Sequence, residues 1–203
     1  MIIFITVIPF YSFMTRVLLT GFDDCKSYDS PTKHVIKEFQ NKSLDGIELR
    51  SVLLPVKFEK SLKKVNDVIE YHKPSIILSL GFGYKIGDQI SIEQRGRNIV
   101  SGKDDARVKK YEEKIYKYGQ DYRNVSFPVE ELCDLLNEND IPTAISKDAG
   151  EFLCNNLIYS LMRIMPEDVA YGFYHIPDSN KSLLKVDQIV KAVELTFDYL
   201  KNN

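Results

Sequence analysis

The stretch Phe58-Glu-Lys-Ser-Leu-Lys-Lys-Val-Asn-Asp-Val-Ile-Glu-Tyr-His-Lys-Pro-Ser-Ile-Ile-Leu-Ser-Leu80 changes its period once, and that change decides the fold. From Phe58 to His72, apolar side chains recur at helical spacing among lysines and acids, which predicts an amphipathic helix. Pro74 stops it, because a proline pushes the residue before it out of helical backbone. Ser75 to Leu80 then runs almost continuously apolar over strand length, the pattern of a strand covered on both faces. A helix that feeds a doubly covered strand is the repeating unit of an α/β protein.

The same alternation extends in both directions. Further strands are expected at Arg16 to Thr20, Ile47 to Leu54, Ile90 to Glu93 with a tail toward Ile99, Pro142 to Ser146 and Ala170 to His175. Further helices are expected at Pro31 to Gln40, Val129 to Asn139, Ala149 to Met165 and Leu183 to Leu200. Ser30 can cap the helix that starts at Pro31, where the missing N–H costs nothing, and Pro166 ends another. This order implies a single three-layer α/β/α domain over residues 15–203, with a mostly parallel, mixed central sheet. Ser101 to Val125 fits neither period and is expected to be a partly disordered excursion.

Residues 1–14 call for a separate reading. Ile2 to Met14 is almost wholly apolar, but it is shorter than the roughly 20 residues that span a bilayer and lacks the basic start of a secretory signal. The segment is expected to be a non-native or divergent leader, with the natural start at Met14.

Composition narrows the function classes. The 203 residues, 44% of them apolar, suffice for one sizeable core. Lysine and arginine number 27 against 29 aspartates and glutamates, so the total charge carries no footprint of nucleic acid or an anionic membrane. A small soluble partner fits better. Cysteines 25, 133 and 154 are odd in number and far apart, which suits a reducing, cytoplasmic setting and argues against a disulfide framework or a zinc site. Gly81, Gly83 and Gly87 lack the spacing of a phosphate-cradling loop. The lysines and tyrosines from Lys109 to Tyr122 are interleaved with acids and read as a solvated face. The broad apolar face of the last helix, with Leu183, Ile189, Val193 and Phe197, offers an interface for a homo-oligomer.

Chemistry concentrates in Ser-Lys-Asp-Ala-Gly-Glu-Phe-Leu-Cys-Asn-Asn (Ser146 to Asn156) and Gly-Phe-Tyr-His-Ile-Pro (Gly172 to Pro177). Cys154 and His175 form one of the few nucleophile and base pairs that three cysteines and three histidines allow. Asp148 and Glu151 have the spacing of a capping box, which would set Cys154 in the first turns of its helix, where the dipole favours a thiolate. Helical spacing alone fits a buried core cysteine beside Leu157, Ile158 and Leu161 equally well.

The wording of these segments resembles the nucleophile and histidine segments of the pyroglutamyl peptidase type I, or pyrrolidone carboxyl peptidase, family. Val17 to Phe22, Leu53 to Phe58, Ile90 to Glu93 with Asn98, and Asp105 to Arg107 resemble further family segments in the same order. The resemblance implies a cysteine peptidase that removes N-terminal pyroglutamate from small peptides with a blocked N-terminus, and that needs no cofactor or metal. It implies Cys154 as nucleophile, His175 as general base and acid, Glu93 as the carboxylate that orients the histidine, and Arg107 as a stabiliser of the oxyanion. It further implies substrate contacts at Phe22, Cys25 and Phe82. Phe22 keeps the family's first aromatic, whereas Cys25 stands where the family has a second aromatic and Phe82 where it has glutamine. These departures leave open a substrate-divergent or catalytically weak relative that binds a small ligand or peptide.

Overall fold

The computed structural model of the protein describes residues 14–26 and 29–203, so the leader reading over residues 1–14 lies, but for Met14, outside the described residues. The central sheet contains β1 (Thr15–Phe22), β2 (Ile47–Leu54), β3 (Ile76–Phe82), β4 (Ile90–Glu93), β9 (Thr143–Ser146) and β10 (Ala170–Ile176), in the spatial order β2-β1-β3-β10-β4-β9. All neighbours run parallel except β10 and β4, so the sheet is mostly parallel and mixed. Val17, Leu18 and Leu19 of β1, Ile77 and Leu78 of β3 and Phe173 and Tyr174 of β10 are fully buried, as their continuous apolar runs require.

Among the described residues the helices are α1 (Pro31–Phe39), α2 (Phe58–His72), α3 (Val129–Glu138), α4 (Leu153–Ile164) and α5 (Val186–Asn202). Helix α5 touches α1 and α3, while α2 touches α4. The chain moves from β1 outward to β2 and then back to β3, and right-handed crossovers therefore put α1 and α2 on opposite faces of the sheet. The apolar face of α5 is spent inside the chain, where Ile189, Val193 and Phe197 are buried, while Leu183 remains in solvent.

Register sets the position of the site. Thr15 to Phe22 pairs residue for residue with Ile47 to Leu54, and Gly21 pairs with Leu80, so Phe22 and Phe82 finish at the same edge of the sheet. His175 pairs with Gly81 at that edge. The strand order reverses between β1 and β3, and the carboxyl ends of strands at such a switch point form the crevice in which open α/β sheets hold ligands.

Three boundaries differ from the sequence expectation. Helix α4 starts at Leu153, not near Ala149, because Gly150 turns the chain at φ +76 and Phe152 is the residue before the helix. Helix α5 starts at Val186, where the Gln188 side chain accepts the Lys185 N–H at 3.1 Å, while Asp88 holds the Leu183 N–H outside the helix at 2.9 Å. The tail of β4 does not stay in the main sheet: the chain leaves at Gln94 and forms β5 (Arg95–Arg97).

The 101–125 excursion is also more regular than expected. It contains β6 (Val100–Lys103) paired with β7 (Lys109–Glu113), and β8 (Tyr122–Asn124), which pairs with β5. Asn98 brackets it: its Oδ1 accepts the Tyr116 N–H at 2.8 Å, and its Nδ2 donates to Tyr116 O at 2.8 Å and Gly119 O at 3.3 Å. Asp104 accepts the N–H groups of Phe58 and Val108, which pins the turn between β6 and β7 to the start of α2. These ties link side chains to backbone and leave no trace in hydrophobic period, which is the property that the sequence reading used.

Candidate active site

The antiparallel contact between β10 and β4 brings together two segments that lie far apart in sequence. Ser91 sits opposite His175, and Glu93, two residues further along β4, is the diagonal neighbour on the same face. His175 Nδ1 donates to Glu93 Oε1 at 2.7 Å, and both side chains are buried. Glu93 Oε2 is buried without a hydrogen-bond partner among the described residues, so the imidazole is the compensating group that the structure gives this carboxylate. With Nδ1 committed to Glu93, Nε2 is the nitrogen left for chemistry.

Burial of the His175 ring is the largest influence on its proton and opposes the charged form. It is outweighed by the charge of Cys154 and the hydrogen bond to it, followed by the hydrogen bond to and charge of Glu93, and the pKa of His175 is raised from 6.5 to about 10. The imidazolium is therefore the form that this site favours through neutral pH.

Cys154 is the second residue of α4, so its backbone N–H belongs to the first turn, whose donors have no acceptor within the helix. The expected capping box does not produce this placement. Asp148 Oδ1 instead takes the Gly150 N–H at 3.1 Å and Arg97 Nη2 at 3.0 Å, while Glu151 Oε1 lies 3.3 Å from the same guanidinium nitrogen. Arg97 thus holds the turn that enters the helix. Asn155 fixes the other side: its Oδ1 accepts the Arg97 N–H at 2.7 Å, and its Nδ2 donates to Arg97 O at 2.9 Å and Ile99 O at 2.7 Å.

Gly81 makes room for the sulfur. A Cβ at this position would stand 2.8 Å from Cys154 Sγ and 2.7 Å from Phe173 Cζ, closer than carbon atoms pack. This requirement was readable in the sequence only as a glycine that ends an apolar strand.

Cys154 and His175 open into a cavity of about 500 Å³ whose walls include Phe22, Val56, Phe82, Tyr84, Glu151 and Phe152. The structure thus brings Phe22 and Phe82 to Cys154 and His175. Cys25 lies half-buried against the hydrophobic core just past β1 and is not among the lining residues. Arg107 is exposed at φ 67 in the turn after β6, outside the cavity lining. The neighbouring Asp105 ties that turn to the cavity wall, with its N–H donating to Val56 O at 3.0 Å. Sequence reasoning missed Val56, Phe152 and Glu151 as walls. The signals available were their positions, just after Pro55 and just before Cys154, inside segments already marked as informative. Among the described residues, no group of histidine, cysteine and carboxylate side chains is arranged to hold a metal ion, and no helix is long and apolar enough to cross a membrane.

A family model described as pyroglutamyl peptidase matches residues 15–196, nearly the whole described chain. The chain belongs to the pyroglutamyl peptidase family. It is thereby a cysteine-type peptidase of the pyroglutamyl-peptidase I class. A pyrrolidone-carboxylate peptidase of Saccharolobus islandicus is 32% identical over 201 residues, covering 92% of this chain and 95% of the relative. One from Brachyspira hyodysenteriae is 31% identical over 200 residues, covering 89% and 96%. Among solved structures, the pyrrolidone carboxyl peptidase of Thermococcus litoralis superposes with a TM-score of 0.84 at 25% identity, covering 93% of this chain and 96% of that one. Pyroglutamyl peptidase I of Bacillus amyloliquefaciens superposes with a TM-score of 0.82 at 28% identity, covering 90% and 94%. Membership in the pyroglutamyl peptidase family accounts for the mixed sheet and for the resemblance read from the nucleophile and histidine segments.

Proposed function

We propose that the protein removes an N-terminal pyroglutamyl residue from small peptides, with Cys154 as nucleophile, His175 as general base and acid, and Glu93 as the group that orients the imidazole. The observation that carries this reading is the buried 2.7 Å contact between His175 Nδ1 and Glu93, with Cys154 acting on the same ring from the start of α4.

In this mechanism the Cys154 sulfur attacks the carbonyl carbon that joins the pyroglutamyl ring to the peptide, and the carbonyl π electrons move to oxygen. The first-turn N–H of Cys154 is the donor that meets the developing oxyanion. The C–N bond then breaks, its electrons stay on nitrogen, and His175 Nε2 delivers a proton to the leaving amine. A thioester remains. His175, now neutral, takes a proton from water, whose oxygen displaces the sulfur and releases pyroglutamate. Glu93 stabilises the imidazolium in both halves. Phe22 and Phe82 supply flat apolar walls for the ring.

Among the described residues, none of the cavity's lining side chains is an asparagine or glutamine, which leaves backbone groups to meet the lactam N–H and C=O and favours, as a second reading, turnover of another small N-terminal acyl group. A reducing compartment such as the cytoplasm suits a thiol nucleophile. The test is release of a fluorescent amine from a pyroglutamyl amide. Turnover is expected in the wild type, and its loss by a factor of at least about 10³ is expected in Cys154→Ala and after iodoacetamide. Release of the amine from other acyl amides but not from the pyroglutamyl amide would select the second reading, and persistent turnover in Cys154→Ala would remove the nucleophile assignment.

A further inference from the structure

A second cavity, of about 280 Å³, lies against the first and shares Phe82 and Tyr84 with it. Its remaining walls are Gly83, Gly87, Asp88, Pro177, Asp178, Lys181 and Ser182, so it lies between the loop after β3 and the chain that leaves β10. Both of those segments emerge beside His175. Pro177 follows β10 directly, and Gly83 packs so closely that a Cβ there would stand 3.0 Å from His175 Cβ, with the Gly83 N–H donating to Ile176 O at 3.0 Å. The loop passes between the two cavities as a partition, with Tyr84 standing 75% exposed along its rim.

We propose that this groove seats the leaving peptide, the first residues on the amine side of the bond that is cut, while the larger cavity seats the acyl group. The inference rests on the peptidase reading above and adds to it a second subsite and its ligand class. The geometry follows from the proton. The leaving nitrogen must lie within reach of His175 Nε2, because it is protonated there as the C–N bond breaks, so the peptide beyond that nitrogen has to depart along a surface that adjoins His175. The acyl ring occupies the other side, between Phe22, Val56 and Phe152. Of the surfaces next to His175, the groove at Pro177 to Ser182 is open to solvent along Tyr84 and Lys181, as a chain of undefined length requires.

The groove also has a rigid frame. Asp178 Oδ1 accepts the Asn180 N–H at 3.1 Å and its other oxygen lies 3.3 Å from Lys181 Nζ, while Asp88 accepts the Leu183 N–H at 2.9 Å. The loop at 83–88 and the segment at 177–183 are thereby joined across the groove, and it exists before any substrate enters. Binding energy gained there, remote from the reacting carbonyl, can position the bond over Cys154 and raise turnover of peptides above that of minimal amides.

The experiment compares three substrates: pyroglutamyl-alanine amide, pyroglutamyl-trialanine amide and pyroglutamyl p-nitroanilide. The first two break the same bond and differ only in what lies beyond it. In the wild type, the longer peptide should be cut with a kcat/KM about tenfold higher. Lys181→Trp, at a side chain that is 85% exposed and outside the acyl cavity, should fill the groove and cancel that gain, while the rate at which iodoacetamide alkylates Cys154, which needs no amine-side group, stays within about twofold of wild type. Equal kcat/KM for the two alanine amides in the wild type, or a length gain that survives Lys181→Trp, overturns the groove and leaves the peptidase reading standing. Failure to cut any of the three overturns both.

Discussion

His175 and Glu93 are the residues whose charges can be followed by experiment. A histidine whose pKa rises on folding, from 6.5 to about 10, contributes stability that is complete below the unfolded value and is lost as pH climbs through the folded one. Glu93→Gln removes one of the groups that hold the proton, so two alkaline limits should move down together in this variant: the fall in kcat/KM and the fall in Tm. pH profiles of activity and of thermal unfolding check this, and an alkaline limb that stays in place would show that Cys154 alone holds the proton. Gly81→Ala tests the space beneath the sulfur. The added methyl would meet Cys154 Sγ at 2.8 Å, so the thiol or the Phe173 ring must shift, at a cost of about 1–3 kcal/mol in stability. Turnover should drop by about 10² while the protein still folds, since a misplacement of about 1 Å costs that much. The kcat of this variant and its rate of alkylation by iodoacetamide report the displacement. The meeting of Cys154, His175 and Glu93 at one place was legible in the sequence because their segments carry distinctive wording. The role of Gly81 was not, because it depends on which atom faces the absent side chain.

At the scale of elements, α4 shows where sequence reasoning ran out. Its apolar period was visible, yet its first turn was misplaced because Asp148 and Glu151 satisfy the spacing of a capping box while their charges are drawn to Arg97. An ion pair to a strand that lies far away in sequence cannot be read from spacing. Asn155 is the stronger tie, because its fully buried amide serves two backbone groups of Arg97 and one of Ile99. Asn155→Ala leaves the Arg97 N–H and the Ile99 carbonyl without this partner in the interior, while Arg97 O keeps the Ile99 N–H at 2.8 Å, and a loss of about 2 kcal/mol is expected. In urea this should appear as a lower midpoint with an unchanged slope. Activity should fall as well, since the same bonds hold the residue next to Cys154.

For the whole molecule, the alternation of periods was sufficient to give the layer architecture, because continuous apolar strands such as Ile76–Phe82 can be covered only by helices on both faces. What it could not give was the order inside the excursion, whose strands are short, charged and held by individual polar side chains. Asn98 is the central one. Its side chain binds Tyr116 at both the N–H and the carbonyl, and Gly119 at the carbonyl, while its own N–H reaches Asp121 O at 2.7 Å. The bracket closes a long loop of polar chain that has little apolar burial of its own, so its order rests on these bonds and on the pairing of β5 with β8 and β6 with β7. Asn98→Ala should therefore release the loop locally without unfolding the sheet, whose core lies in other strands. Limited trypsin digestion should cut at Lys109, Lys110, Lys114 or Lys117 at least about tenfold faster than in the wild type, with the cooperative unfolding transition lowered by only about 1–2 kcal/mol. Cleavage that stays as slow as in the wild type would show that strand pairing alone orders the excursion. A collapse of the whole transition would show that the excursion is built into the global folding unit.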